Sequence, residues 1–257
     1  MLKRVAIFNQ KGGVGKTTVT VNLAVGLARR KKGTLIVDLD PQGNTTSGFG
    51  KVASEKGSIY EVFRGEAEIE DILLPIEKNL DLIPSSRDLA AFSMEQEEKS
   101  PGLLIEKLEP IFANYDYILI DCPPSLGLLS LNALVAAHSV LIPIQCEYYA
   151  LEGLSQLMET MEMMQRGLNP GLYLEGVLLN MVDKRNNLTK DVAMEVRRFF
   201  KDKVYQTEIP RNVRLAEAPS YGMSIYDYDN LSRGSMSFKK WVKEFIKRSE
   251  TWQKKEA

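Results

Sequence analysis

A short apolar run, Val5-Ala6-Ile7-Phe8, leads into Lys11-Gly12-Gly13-Val14-Gly15-Lys16-Thr17-Thr18, and then into a segment whose apolar residues Val21, Leu23, Ala24 and Leu27 keep roughly helical spacing. Few folds accept that order of strand, glycine loop and helix. The glycines let the backbone curl so that successive amide N–H groups converge on an anion, with the positive end of the helix dipole beneath it. Lys16 then reaches the β- and γ-phosphates of a nucleotide as a point charge, and the Thr17 hydroxyl ligates Mg²⁺. Lys11, Gly12, Gly13, Val14, Gly15 and Thr18 complete the expected cradle.

The rest of the chain supplies the sheet that such a loop needs. Apolar runs recur at residues 4–9, 34–38, 80–84, 117–121, 140–143 and 174–180. Several are apolar at successive positions, the pattern of strands shielded on both faces. Between and after them, helical periodicity covers 16–30, 85–98, 103–113, 127–136, 151–166, 191–200 and 237–248. This alternation predicts an α/β fold, a mostly parallel twisted sheet with helices on both faces. With 257 residues, 44% hydrophobic and 26% charged, the chain reads as one domain over 1–257, with a polar, disordered tail over 249–257. The charged stretch Glu95-Gln96-Glu97-Glu98-Lys99 stands before Ser100-Pro101-Gly102 and reads as a solvated helix end.

Composition also excludes some classes. Lys and Arg number 33 against 34 Asp and Glu, a net charge of −1, so a polyanion must be met by a local patch. Cys122 and Cys146 have apolar neighbours and no CxxC spacing, which argues against a disulfide framework or zinc site and fits a reducing cytosol. Neither a signal segment nor an uninterrupted apolar run of ~18 residues is seen, so a cytoplasmic protein is expected.

Two further acids fall at strand ends. The run Leu35-Ile36-Val37-Asp38-Leu39 delivers Asp40-Pro41-Gln42-Gly43-Asn44, and Tyr117-Ile118-Leu119-Ile120 delivers Asp121-Cys122-Pro123-Pro124. Both lie on the carboxyl edge of the sheet, where open α/β folds bind ligands. Asp121 reads as the acid that holds Mg²⁺ through water, and Asp40 as the better candidate to position an attacking water. Asp38 reads equally as a buried acid capping its strand or as a direct participant.

One departure narrows the reading. The common G-x-x-x-x-G-K-[ST] loop begins with glycine, whereas Gln10 stands there with Lys11 beside it. The Lys11 side chain starts on the side of the loop opposite Lys16, so a phosphate held by a facing subunit is the natural place for its charge. The variant resembles the deviant Walker A box of the ParA and MinD superfamily of dimerising P-loop NTPases, in which the lysine matching Lys11 reaches across an ATP-sandwich dimer. On that resemblance Lys11, Lys16 and Asp40 form the catalytic set, and Gly12 lies where two loops approach. The segments Asp38-Leu39-Asp40-Pro41-Gln42-Gly43-Asn44, Asp121-Cys122-Pro123-Pro124-Ser125-Leu126, Glu147-Tyr148-Tyr149-Ala150-Leu151-Glu152-Gly153 and Ile209-Pro210-Arg211-Asn212-Val213-Arg214-Leu215-Ala216-Glu217-Ala218-Pro219-Ser220 are similar to the Soj-type ParA chromosome-partition ATPases, with likeness over about residues 3–248.

The resemblance implies ATP and Mg²⁺ as cofactors, adenine lodged between the Asn180 region and Pro210, Arg211 and Asn212, and Glu147 near the dimer face. It implies an ATP-bound homodimer that binds double-stranded DNA nonspecifically on the nucleoid, and a ParB-like partner that stimulates slow hydrolysis. The chain starts at the phosphate-loop strand without an added helix-turn-helix domain, so operator recognition is not expected. Residues 184–214 hold nine basic against four acidic residues, a local patch suited to phosphate contacts without sequence readout. Lys184, Arg185 and above all Arg214 are its candidate DNA contacts.

Two alternatives stand beside this one. In the last helix Phe238, Trp241, Val242, Phe245 and Ile246 form an apolar stripe among Lys239, Lys240, Lys243, Lys247 and Arg248, so a MinD-like, membrane-associated ATPase that positions division is conceivable from pattern alone. In this fold, however, such a stripe is expected to pack on the sheet. A metabolic enzyme on the same scaffold, such as a biotin-pathway ligase or an iron–sulfur reductase component, ranks below both, because His138 reads as structural and the cysteines lack cluster spacing.

Overall fold

The computed structural model describes residues 2–53, 55–94, 100–147 and 150–256. Its described strands are β1 (Lys3–Ile7), β2 (Thr34–Asp38), β3 (Leu74–Glu77), β4 (Leu80–Ile83), β5 (Tyr117–Asp121), β6 (Ser139–Gln145) and β7 (Tyr173–Asn180). They form one sheet in the order β3-β4-β2-β5-β1-β6-β7. All neighbours are parallel except the edge pair β3–β4.

Side-chain alternation explains why the inner strands are apolar throughout. In β1 and the residue after it, Val5 and Ile7 point into one core layer, while Ala6 and Phe8 point into the other. In β5, Tyr117 and Leu119 oppose Ile118 and Ile120 in the same way. One layer is closed by α1 (Lys16–Ala28) and the terminal helix. Against the other pack α3 (Ile59–Arg64), α4 (Leu89–Met94), α5 (Leu103–Leu108), α6 (Leu128–Ala136), α7 (Ala150–Arg166) and α8 (Asn187–Phe200), whereas the short α2 (Asn44–Gly48) lies next to α1 at the end of β2. Short α9 (Val213–Glu217) and α10 (Ile225–Tyr228) then lead into α11 (Arg233–Glu256).

Three differences from the sequence expectations have physical causes. The strand β3 is missed because Pro75 interrupts the pattern; proline is tolerated here since β3 is an edge strand with a register shift between Pro75 and Glu77. The helix expected over 103–113 ends at Leu108 and continues as a 3₁₀ turn, Glu109–Asn114, because Pro110 has no N–H for the α-helical ladder. The helix expected over 85–98 begins only at Leu89, since Ser85 is used in tertiary hydrogen bonds, and residues 95–99 lie outside the described residues.

The terminal helix also corrects the expected tail. It runs on to Glu256, and Ser249 is fully buried, its hydroxyl accepting a hydrogen bond from Lys3 Nζ at 3.1 Å. Phe238, Trp241, Val242 and Phe245 are all fully buried in the layer shared with α1, so packing consumes the apolar stripe.

Candidate nucleotide site and basic cleft

The glycine loop links β1 to α1 at the carboxyl edge of the sheet. Among the described residues, the backbone N–H groups of Gly13, Gly15, Lys16, Thr17 and Thr18 find no protein acceptor, so an array of donors is left for an anion. Gly15 has φ 89°, and a Cβ there would run into the side-chain nitrogen of Asn180. Asn180, at the end of β7, donates from Nδ2 to the Val14 carbonyl at 2.8 Å and so ties the loop to the far side of the sheet. Lys16 is buried, its Nζ donating to the Asn9 carbonyl at 3.0 Å and to the Lys11 carbonyl at 3.4 Å. Burial lowers its pKa, while the charges of Asp121 and Asp40 oppose that shift. Without a stronger partner, Lys16 rests on the loop's own carbonyls.

Asp38 and Asp121 are register partners at the ends of adjacent strands β2 and β5. Asp121 accepts from Thr17 Oγ1 at 2.8 Å, from Thr45 Oγ1 at 2.7 Å and from Thr20 Oγ1 at 3.3 Å. Both carboxyls are pushed upward in pKa, first by burial; Asp121 adds to the shift of Asp38, and Asp40 to that of Asp121. Buried Asp121, with three threonine hydroxyls on it and Lys16 as the nearby cation, stands beside buried Asp38, and together they are a hard oxygen donor set short of positive charge. It fits Mg²⁺. Thr20 and Thr45 were not foreseen from sequence, because an isolated threonine carries no signal until the fold aims it.

Lys11 does not turn toward its own loop. Its Nζ pairs with Glu147 at 2.8 Å, and both side chains keep substantial exposure, 39% and 47%. A Cβ added at Gly12 would meet nothing within 4 Å, so this position is open on the surface. Tyr148 and Tyr149 of the same segment lie outside the described residues.

Pro210 and Arg211 run alongside Val182, two residues beyond Asn180, through Val182 N–H to Ile209 at 2.9 Å and Arg211 N–H to Val182 at 3.2 Å. Asn212 caps α9, its Oδ1 accepting from Arg214 N–H at 2.8 Å. The structure therefore brings Asn180, Pro210, Arg211 and Asn212 to one corner of the sheet edge. A cleft of about 780 Å³ opens beside them, where Lys184, Arg185 and Arg211 meet Arg233 and Lys240. Arg233 and Lys240 stand seven residues apart on α11, a helical spacing that could have revealed them. Arg214 does not line this cleft; it pairs with Glu217 at 2.9 Å and Asp229 at 3.6 Å. Lys184 pairs with Glu208 and Arg185 with Asp183, so all three expected DNA contacts carry acidic neighbours.

With this geometry in place, the comparisons with known proteins are decisive. A family model described as an AAA domain matches residues 2–174. The chromosome partitioning protein ParA of Myxococcus xanthus is 50% identical over 248 residues, covering 95% of this chain and 88% of that protein. The sporulation initiation inhibitor protein Soj of Bacillus subtilis is 52% identical over 248 residues, covering 95% and 98%. The chain belongs to the ParA/Soj family of chromosome-partitioning ATPases. Among solved structures, cobyrinic acid a,c-diamide synthase from Mycobacterium smegmatis with bound ADP and magnesium superposes with a TM-score of 0.84 at 31% identity, covering 97% of this chain and 96% of that one. The septum site-determining protein MinD of Pyrococcus horikoshii, complexed with Mg-ADP, gives 0.80 at 26% identity, covering 95% and 96%. This ParA/Soj-family chain is a P-loop NTPase of the deviant Walker A type.

Proposed function

We propose that the protein is an ATP-gated DNA-binding switch. Two subunits close on ATP, the dimer binds nucleoid DNA without sequence preference, and a ParB-like partner accelerates an otherwise slow hydrolysis that releases it, so that chromosome or plasmid DNA is segregated. The observation that carries this reading is the placement of Lys11, whose ammonium lies on the exposed Glu147 and away from the loop that Lys16 occupies. A cation kept outside its own phosphate cradle is available to a nucleotide held by a second copy.

In this reading the loop N–H groups and Lys16 bind the phosphates, Thr17 and Asp121 hold Mg²⁺, and Asp40 orients the attacking water. Bound Mg²⁺ supplies neutralisation of phosphate charge; the remaining contribution is alignment by these side chains. Asn180 and residues 210–212 border the base. Lys184, Arg185 and Arg214 contact DNA phosphates, exchanging their carboxylate partners for phosphate oxygens. The working location is the cytoplasm, on the nucleoid.

The test is size in solution. Light scattering with a non-hydrolysable ATP analogue and Mg²⁺ should give a dimer, and Gly12→Val should bind the analogue yet stay monomeric, because its side chain fills the open space where two loops meet. A wild-type monomer at saturation overturns the proposal. The MinD-like alternative loses its main support because the α11 stripe is buried, and among the described residues no helix is long and apolar enough to cross a membrane.

A further inference from the structure

Asp40 stands in the turn between β2 and α2, where its carbonyl accepts from the Gly43 N–H of the same turn at 2.8 Å. Its main chain is also gripped from outside the turn. The Asp40 N–H donates to Asp38 Oδ1 at 3.2 Å, and the Asp40 carbonyl accepts from Ser85 Oγ at 2.7 Å. The other Asp38 oxygen accepts from the Thr46 N–H at 2.8 Å and from Thr46 Oγ1 at 2.7 Å. Thr46 Oγ1 in turn accepts from the Ser85 N–H at 3.1 Å. These bonds close a ring, Asp40 to Asp38 to Thr46 to Ser85 and back to Asp40.

All four members are buried, with Ser85 only 5% exposed. A buried polar group deprived of its partner is costly, so the closed ring is preferred over an open one. Ser85 follows β4, and its neighbours are anchored away from the nucleotide site. The Pro84 carbonyl accepts from the Ile59 N–H at 3.0 Å, and Ser86 Oγ accepts from Ser58 Oγ, the cap of α3, at 3.0 Å. Among the described hydrogen bonds, the Ser85 side chain donates only to the Asp40 carbonyl.

We propose that Ser85, acting with Thr46 and Asp38, is a positioning residue for Asp40: it sets the rate of ATP hydrolysis and takes no part in binding ATP. The proposal rests on the reading of Asp40 as the group that orients water. Its physical basis is that a displacement of about 1 Å in a reacting geometry costs on the order of a hundredfold in rate. Ser85 ties the Asp40 carbonyl to the end of β4, so its loss leaves that carbonyl held only by the Gly43 N–H of its own turn, and the turn can shift as a unit while the phosphate loop, which Ser85 does not touch, stays intact.

The experiment is steady-state ATP hydrolysis by the full chain, with ATP affinity measured separately by a fluorescent ATP analogue. Ser85→Ala should lower kcat roughly tenfold or more, with KM and analogue affinity within about twofold of wild type. Ser85→Thr, which keeps the hydroxyl, should recover most of the rate. Thr46→Val, matched in shape but lacking the linking hydroxyl, should reproduce the kcat loss and guards against a Ser85→Ala chain that does not fold. Ser86→Ala removes a neighbouring hydroxyl outside the ring and should leave kcat unchanged. Unchanged kcat in Ser85→Ala, or parallel losses of affinity and thermal stability without a separate kcat effect, would overturn the assignment. Asp40→Ala is run beside them: if it hydrolyses ATP normally, the reading of Asp40 fails, whereas a dead Asp40→Ala with a fully active Ser85→Ala defeats the ring alone.

Discussion

The two charged regions of the molecule are built in opposite ways. At the nucleotide site Lys16, Asp38, Asp40 and Asp121 are all nearly or completely buried, and hydroxyls or backbone groups hold them at fixed distances. In the basic cleft and around α9, the Lys184, Arg185 and Arg214 side chains are 81%, 90% and 51% exposed, each leaning on an acid close by. Buried charges interact strongly and are little screened, so their geometry is built into the fold and single changes have large effects. Exposed pairs are individually weak, and their acids are exchangeable for other anions. The same contrast would separate a site for one ligand at one geometry from the DNA surface proposed for the basic region.

The sharpest way to break this comparison is Lys16→Ala. Removing the only ammonium inside the cradle should abolish measurable ATP binding, a loss of at least a hundredfold in calorimetric titration; retained affinity would mean that loop N–H groups suffice. Next in size is Asp40→Ala, which should keep ATP affinity while turnover falls by about 10²-fold or more, the scale of losing a group that orients a reacting proton or water. Such a chain should accumulate as an ATP dimer retained on DNA. Normal turnover would remove Asp40 from the water-positioning role.

The contrast also decides what could be read from sequence. The nucleotide site was legible because its parts are local: loop, lysine and hydroxyl lie within residues 11–18, and the two acids each end an apolar strand. The sheet was legible for a related reason, since strands buried on both faces spell out continuous apolar runs. What stayed hidden depends on long-range closure. Ser85 is 45 residues from the carbonyl it holds, and Thr45 is 76 residues from Asp121. Serine and threonine at such positions look like any loop residue until the strand order β4-β2-β5 places them side by side. The basic patch was half legible: its charge excess is linear, but α11 adds Arg233 and Lys240 from a separate stretch of chain, and Arg214 faces a different set of acids.

The exposed region sharpens the comparison with smaller effects. Arg214→Glu should weaken binding to nonspecific duplex DNA about tenfold in the ATP state and flatten the salt dependence, because fewer counterions are released, while basal hydrolysis stays unchanged. Titrations with ATP, with ADP and without nucleotide at two salt concentrations measure both quantities. Equal retention of wild type and variant would remove Arg214 from the DNA surface.

At the opposite edge of the sheet from the nucleotide, His138 offers the mildest test of what burial does to a charge. Its Nδ1 accepts the Arg4 N–H at 3.1 Å between β1 and β6, and burial, helped by Arg4 and Lys3, lowers its pKa to about 4. The folded state thus prefers the neutral ring, whereas the unfolded chain takes up a proton near pH 6.5. The resulting stability is complete above pH 6.5 and is lost as pH falls from there toward 4, since protons then bind only the unfolded chain. After allowance for the partial exposure of the ring, the loss is about 1–2 kcal/mol. His138→Asn retains an acceptor for the Arg4 N–H but cannot take up that proton. Denaturant melts of both chains at pH 7 and pH 5 should show a smaller pH-dependent loss in the variant, while matched losses would place the proton elsewhere and leave His138 as packing alone.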